Sequence, residues 1–386
     1  MIYASYPALN EYLAMRAMFQ YFGKKFADLP PITDEMLTWG EAKSPEYACL
    51  PFKIYLAFCR ELARRGINAF FVHGIRNIRA CRYIDLWEGI QKIVRREGYP
   101  DFTVYSWSGY GAKKAFQTLQ KIMGGPSYAK MIVGVWVYCK TLDATDRLND
   151  LANAARPREI IAGSVDKWLS HWLKKLQSVN RKSQPPRIVA AARKDFQKIK
   201  LDQTRPIVRI ALAGDLFKIH EPFFNFDTIR KLNRLGVEVK QPQSFSLLFM
   251  GDNKIWPGGY YHRQIVKCKK KSKKYLKSIP GSYLDVGIGE IVDQLDQGAK
   301  GIVHFQSFGC MPDIMLKPIL DRIAKDYKVP IIHYMRDTHA SDAAYQTRLE
   351  AFADLLKRKE KNNGNPKHEI KNRKQRLNAN SKISQV

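Results

Sequence analysis

The sequence predicts an α/β protein with parallel sheets, folded as two domains. Three observations carry this. The chain has 386 residues, more than one domain of roughly 100–200 residues holds. Short apolar strands alternate with helix-patterned segments in both halves, and such alternation implies a parallel sheet because parallel neighbours need a crossover. A polar, helical stretch separates the two series. With 45% hydrophobic and 26% charged residues, the chain can bury ordinary cores, which excludes disorder as its main state.

The first series opens with a strand over Ile2 to Tyr6, closed by Pro7. A helix follows over Asn10 to Phe22, with Leu13, Met15, Met18, Phe19 and Phe22 at helical spacing. A second helix starts at Pro51 and stops at Gly66, the residue types that suit those two ends. Ala69 to Val72 reads as a strand, Asp85 to Glu97 as a helix closed by Gly98, and Phe102 to Tyr105 as a strand. We therefore expect an N-terminal α/β domain over 1–150. Residues 151–205 read as a helical connecting segment, with Trp168, Trp172 and Leu176 four residues apart. A C-terminal α/β domain over 206–356 starts with the strand Ile207 to Leu212. It continues through a helix (Phe226 to Leu235), a strand (Val237 to Val239), a helix (Ser282 to Gln297), a strand (Gly301 to Phe305), a helix (Ile314 to Tyr327) and a strand (Pro330 to Tyr334). Residues 357–386 hold ten Lys and Arg against Glu360 and Glu369, with too little apolar surface to offset ordering entropy, and are expected to form a disordered basic tail.

Sixty-five Lys and Arg against thirty-six Asp and Glu leave a net charge of +29, enough to attract polyanions. The basic block Lys267 to Lys274 reads as solvated surface, and aromatic residues do not interleave the tail as a single-strand platform requires. Nucleic acid is therefore expected to bind only nonspecifically. No stretch approaches the roughly 18 apolar residues of a spanning helix, and Met1 to Ser5 lacks a basic region leading into an apolar one. The expectation is a soluble cytoplasmic protein with no membrane partner.

Six cysteines, Cys49, Cys59, Cys81, Cys139, Cys268 and Cys310, are dispersed without any CxxC, a pattern that fits reduced thiols or metal ligands better than a disulfide framework. In open parallel sheets ligands bind beyond the carboxyl ends of strands. The loops after Val72 and Phe305 and before Pro51 hold Cys81, Cys310 and Cys49. Cys49 and Cys310 directly precede helix starts at Pro51 and Pro312, where free N–H groups and the helix dipole favour a thiolate. Three converging thiolates would hold an iron–sulfur cubane and leave one iron open. On spacing alone, three buried, inert thiols are the commoner case. Cys59 lies in an amphipathic helix and Cys139 follows the apolar run Val135 to Tyr138, so both read as packing residues; Cys268, amid lysines, reads as an exposed thiol of lowered pKa, and extra ligation is the lesser alternative for all three. His73, His304 and His333 stand near strand ends, where a hydrogen-bonded core histidine is commoner than a proton shuttle. Asp285 to Glu290 reads as a helix start rather than a phosphate loop, because no Lys-Ser/Thr pair follows. Asp215, Glu221 and Asn225 are candidates to face a cleft, with turn and capping roles for Asn225 and Asp227 as the competing reading.

Four segments, taken together and in this order, carry a resemblance. They are Ser44-Pro45-Glu46 with Cys49-Leu50-Pro51-Phe52-Lys53; Glu221-Pro222-Phe223-Phe224-Asn225-Phe226-Asp227; Gly301-Ile302-Val303-His304 leading to Phe308-Gly309-Cys310-Met311-Pro312-Asp313; and Gln346-Thr347-Arg348-Leu349-Glu350-Ala351-Phe352. Up to about Lys357 the chain resembles the 2-hydroxyglutaryl-CoA dehydratase D-component family, in particular its stand-alone branch related to acyl-CoA dehydratase activases, the CoA protein activases. The resemblance implies two Rossmann-like domains with a [4Fe-4S] cluster in the cleft between them, a double-cubane cluster being the less favoured form. It assigns the ligands to Cys49, Cys81 and Cys310. It also implies a separate ATP-dependent activator that passes one low-potential electron through the cluster to an acyl-CoA thioester, and a dimer with itself or a related subunit. The chain holds no P-loop of its own. One departure stands out: the family's glycine-rich Gly-Pro loop before Cys-Arg-Tyr is replaced by Asn77-Ile78-Arg79-Ala80 ahead of Cys81-Arg82-Tyr83, whose bulkier side chains would narrow the space beside a cluster. The leading expectation is thus a lyase of the 2-hydroxyacyl-CoA dehydratase type. A non-catalytic cluster carrier or electron-transfer partner is the alternative, and a cluster-free nucleic-acid-associated protein the third.

Overall fold

A computed structural model of the chain describes residues 1–5, 9–72, 83–106, 112–214, 216–240, 244–251, 259–277, 284–338 and 340–363. Its strands form two four-stranded, wholly parallel sheets. The first contains β1 (Ile2–Ala4), β2 (Lys25–Phe26), β3 (Ala69–Val72) and β4 (Thr103–Ser106) in the order β2-β1-β3-β4. The second contains β5 (Val208–Gly214), β6 (Val237–Lys240), β7 (Ile302–Ser307) and β8 (Ile331–Arg336) in the order β6-β5-β7-β8. The two orders are the same pattern, so β3 and β7 hold equivalent places. In both sheets the chain reverses its direction of winding between the first and third strands, and such a switch point opens a crevice at the strands' carboxyl ends.

The helices of the first half are α1 (Leu9–Tyr21), α2 (Asp34–Lys43), α3 (Leu50–Arg64), α4 (Tyr83–Arg96), α5 (Ala112–Ile122) and the long α6 (Tyr128–Ala155). The strands β3 and β7 are almost continuously buried, which is why Ala69 to Val72 reads as an unbroken apolar run and β7 shows no apolar–polar alternation over Ile302 and Val303. The segment expected to connect the domains forms α7 (Ser164–Leu176) and α8 (Gln184–Phe196). Val165, Trp168, Leu169 and Val189 bury these helices in the same core as β1, β3 and α6. That core also takes in Phe224, Leu247, Leu248 and Ile265 from the second half, so apolar packing is continuous across the two series.

The second half supplies α9 (Leu216–His220), α10 (Pro222–Asn225), α11 (Thr228–Arg234), α12 (Phe245–Gly251), α13 (Tyr260–Ser272), α14 (Leu284–Asp296), α15 (Met311–Tyr327) and α16 (Asp342–Asn363). The helix expected from Phe226 instead begins at Thr228, because Phe226 and Asp227 both take left-handed backbone conformations, with φ of 50° and 54°. The tail expected to begin at 357 is helical through Asn363, continuing α16, with Lys300 and Glu360 3.8 Å apart; residues 364–386 lie outside the described residues.

The basic block Lys267 to Lys274 is largely exposed, as expected of solvated surface, and three of its lysines are tied to carboxylates. Lys267 and Lys271 both reach Asp293 at 2.7 Å, Lys271 also pairs with Asp296, and Lys274 lies 3.3 Å from Asp326. Within it, Cys268 departs from the expected exposed thiol of low pKa. It is 3% exposed, and burial pushes its thiol up to about 12. The reason is helix packing: Gly289 of α14 lies so close to the Cys268 carbonyl that any side chain there would overlap it, which turns this face of α13 inward.

Candidate functional site

The loops that carry two of the three candidate cysteines meet. After α2, Ser44 closes the helix with its hydroxyl on the Gly40 carbonyl at 2.6 Å, and a turn from Pro45 to Ala48 delivers Cys49 to the first turn of α3. In the other half β7 ends at Ser307, Gly309 turns the chain with φ of 72°, and Cys310 opens α15. Both cysteines occupy N-cap positions in extended conformation, followed within two residues by proline, and neither side chain caps its own helix. Both thus stand at helix N-termini, where unsatisfied N–H groups gather positive potential.

The loops touch at Gly309. A Cβ built there would lie 3.3 Å from the Tyr47 carbonyl oxygen and 3.4 Å from the Cys49 Cα. Positive φ and this close approach together call for glycine. Nearby, Glu41 links the halves: its carboxylate accepts from Lys53 Nζ at 3.2 Å and from Thr338 Oγ1 at 2.6 Å. Cys81, His73 and the Asn77 to Ala80 loop lie outside the described residues, as does Asp215. Cys81 follows β3, the topological counterpart of the strand that precedes Cys310.

Sequence reasoning missed a buried ammonium beside Cys310. Lys218, on the short α9 after β5, is wholly buried; its Nζ donates to Cys310 Sγ at 3.3 Å and to Ser307 Oγ at 3.1 Å, and it pairs with Asp313. Asp313 Oδ2 also accepts from the Ser307 backbone N–H at 3.1 Å. Lys218 and Cys310 follow β5 and β7, the strands on either side of the second switch point. Asn225 performs the turn role weighed for it: its Nδ2 donates to the carbonyls of Lys218 and Ile219 at 2.8 and 2.7 Å, locking the loop that aims Lys218. Asp227 stands at the N-cap of α11, but its side chain makes no capping bond. Glu221 accepts from the Phe223 N–H at 3.3 Å, and burial pushes its carboxyl up to about 7. In the sequence the only signal for Lys218 was its place after an apolar strand, which many lysines share.

His304 and His333 are partners. Their Nδ1 atoms lie 2.8 Å apart, His333 Nε2 lies 2.7 Å from Asp321 Oδ1, and His304 is fully buried with Nε2 unpartnered. Burial pulls His304 down to about 3. Both are thus hydrogen-bonded, the reading that the sequence favoured. Arg336, at the end of β8, is 4% exposed and stacks 3.9 Å from the Phe226 ring centroid, with Nε and Nη1 lacking acceptors among the described residues; burial pulls it down to about 10. Cys59 and Cys139 are buried in α3 and α6, with thiols raised by burial, Cys139 to about 12.

Around the two cysteines, large apolar side chains face solvent: Tyr47, Phe308, Met311, Ile314, Met315 and Met335. Phe308 joins Met335 in this patch because its N–H donates to the Arg336 carbonyl at 2.9 Å. Among the described residues no group of three or more His, Cys, Asp and Glu stands ready to hold a metal ion, and no helix is long and apolar enough to cross a membrane. No family model matches the sequence, and no curated protein matches it.

Proposed function

We propose that the chain is an iron–sulfur protein of the 2-hydroxyacyl-CoA dehydratase type, with Cys49, Cys81 and Cys310 as ligands of one [4Fe-4S] cluster. The observation that supports this best is the backbone approach of Gly309 to Cys49, which brings the loop that opens α15 at Cys310 against the loop that opens α3 at Cys49. Their chemistry fits the group: thiolates at helix N-termini, with a buried ammonium beside one of them, suit an electron-rich iron–sulfur core. Burial of Cys59, Cys139 and Cys268 within helix-packing surfaces favours a single cubane over a double one.

When bound, such a cluster would supply one low-potential electron, received from a separate ATP-dependent activator, to the thioester carbonyl of an acyl-CoA. The chain's own residues bind and shield. The apolar rim of Tyr47, Phe308, Met311 and Met335 offers a face to an acyl chain or to a protein partner and keeps water from the cysteines. A net charge of +29 draws the phosphates of coenzyme A. Glu221, with its carboxyl near 7, can hold or release a proton at neutral pH. The replaced loop before Cys81 favours a second reading, a cluster carrier without turnover. Anaerobically isolated protein, given an activator and ATP, is expected to dehydrate a 2-hydroxyacyl-CoA; iron-loaded protein that fails to do so is the carrier.

A further inference from the structure

We propose that Lys218 sets the electron affinity of the cluster, as a buried hydrogen-bond donor to the Cys310 sulfur. The inference rests on the cluster reading above. A fully buried ammonium is costly to desolvate unless it is paired and hydrogen-bonded. Lys218 meets both conditions within one small constellation: Asp313 as counter-ion, Ser307 Oγ at 3.1 Å and Cys310 Sγ at 3.3 Å. Asp313 is fixed in turn by the Ser307 N–H, and Lys218 by the grip of Asn225 on its carbonyl. The result is an immobile dipole, with its positive end at the sulfur and its negative end at Asp313.

Reduction of a cluster adds one electron and one unit of negative charge. A donor held at a ligand sulfur stabilises that reduced state, and hydrogen bonds to sulfur are among the protein's levers on cluster potential. The two ends of the dipole must therefore act in opposite senses. Loss of the ammonium lowers the potential, and loss of the Asp313 charge raises it.

The test is an EPR-monitored potentiometric titration of the full chain, loaded anaerobically with iron and sulfide. Lys218→Met is expected to make the cluster at least tenfold harder to reduce, Asp313→Asn easier to reduce, and Lys218→Arg, which keeps the charge, close to wild type, all at equal iron content. If Lys218→Met does not fold, Lys218→Met with Asp313→Asn keeps the pocket neutral, still lacks the donor and is expected to shift the same way as Lys218→Met. An unchanged potential in the iron-loaded variant lacking Lys218, or shifts of the same sign from Lys218→Met and Asp313→Asn, overturns the inference. Wild-type protein that takes up no iron overturns the cluster reading and this inference with it.

Discussion

Gly309 and Cys49 meet backbone to backbone: a Cβ on Gly309 would stand 3.4 Å from the Cys49 Cα. The contact joins loops 260 positions apart in sequence, one closing a strand of the second sheet and the other opening a helix of the first half. Gly309→Ala is expected to cost on the order of 1–2 kcal/mol, from the left-handed backbone and the crowding combined. Chemical denaturation checks the loss. Iron uptake should fall with it, because the added methyl pushes Cys49 and Cys310 apart.

Stability should depend on pH through His304. Its folded-state value of about 3 lies below the ordinary 6.5, so the unfolded chain takes up a proton that the folded chain refuses. The contribution is fully present above 6.5 and is lost as pH falls from 6.5 toward 3, by about 1.4 kcal/mol for each unit. Glu221 acts in the opposite direction: raised from 4.5 to about 7, it gives stability that is present below 4.5 and lost as pH rises to 7. His304→Gln is expected to flatten the acid limb of a urea-midpoint profile and leave the neutral limb alone.

Arg336 is expected to be dispensable for folding. Its guanidinium is buried with two donor nitrogens unsatisfied, a condition that costs more than its stacking on Phe226 returns. Arg336→Met should leave thermal unfolding at or above the wild-type temperature. A clear fall would show that the stacked guanidinium holds the loop together.

Much of the fold was legible because both sheets are parallel and their central strands largely buried, so these strands are rich in apolar residues and flanked by glycine or proline. Cys49 and Cys310 were legible for a related reason: proline two residues on marks a helix start, and helix starts follow strand ends. Lys218 was not, since nothing local separates a lysine aimed inward at Asp313 from a solvated one; only the Asn225 bonds to its loop decide that. Cys268 misled because its lysine neighbours set the expectation, while Gly289 on another helix set its burial.

The proposed ligation divides the cysteines into two groups. Cys49→Ser, Cys81→Ser and Cys310→Ser are each expected to lose most of the bound iron, and Cys59→Ser, Cys139→Ser and Cys268→Ser to keep it, as measured by iron analysis of anaerobically prepared variants. Retention of iron by Cys310→Ser would remove that residue from the ligand set.

The most direct measurement is the iron and acid-labile sulfide content of the wild-type chain isolated without oxygen. The expected result is a brown protein with about four of each per chain, bleached by air, as a thiolate-held cubane would be. A colourless, iron-free protein that also refuses reconstitution with ferrous iron and sulfide would contradict it.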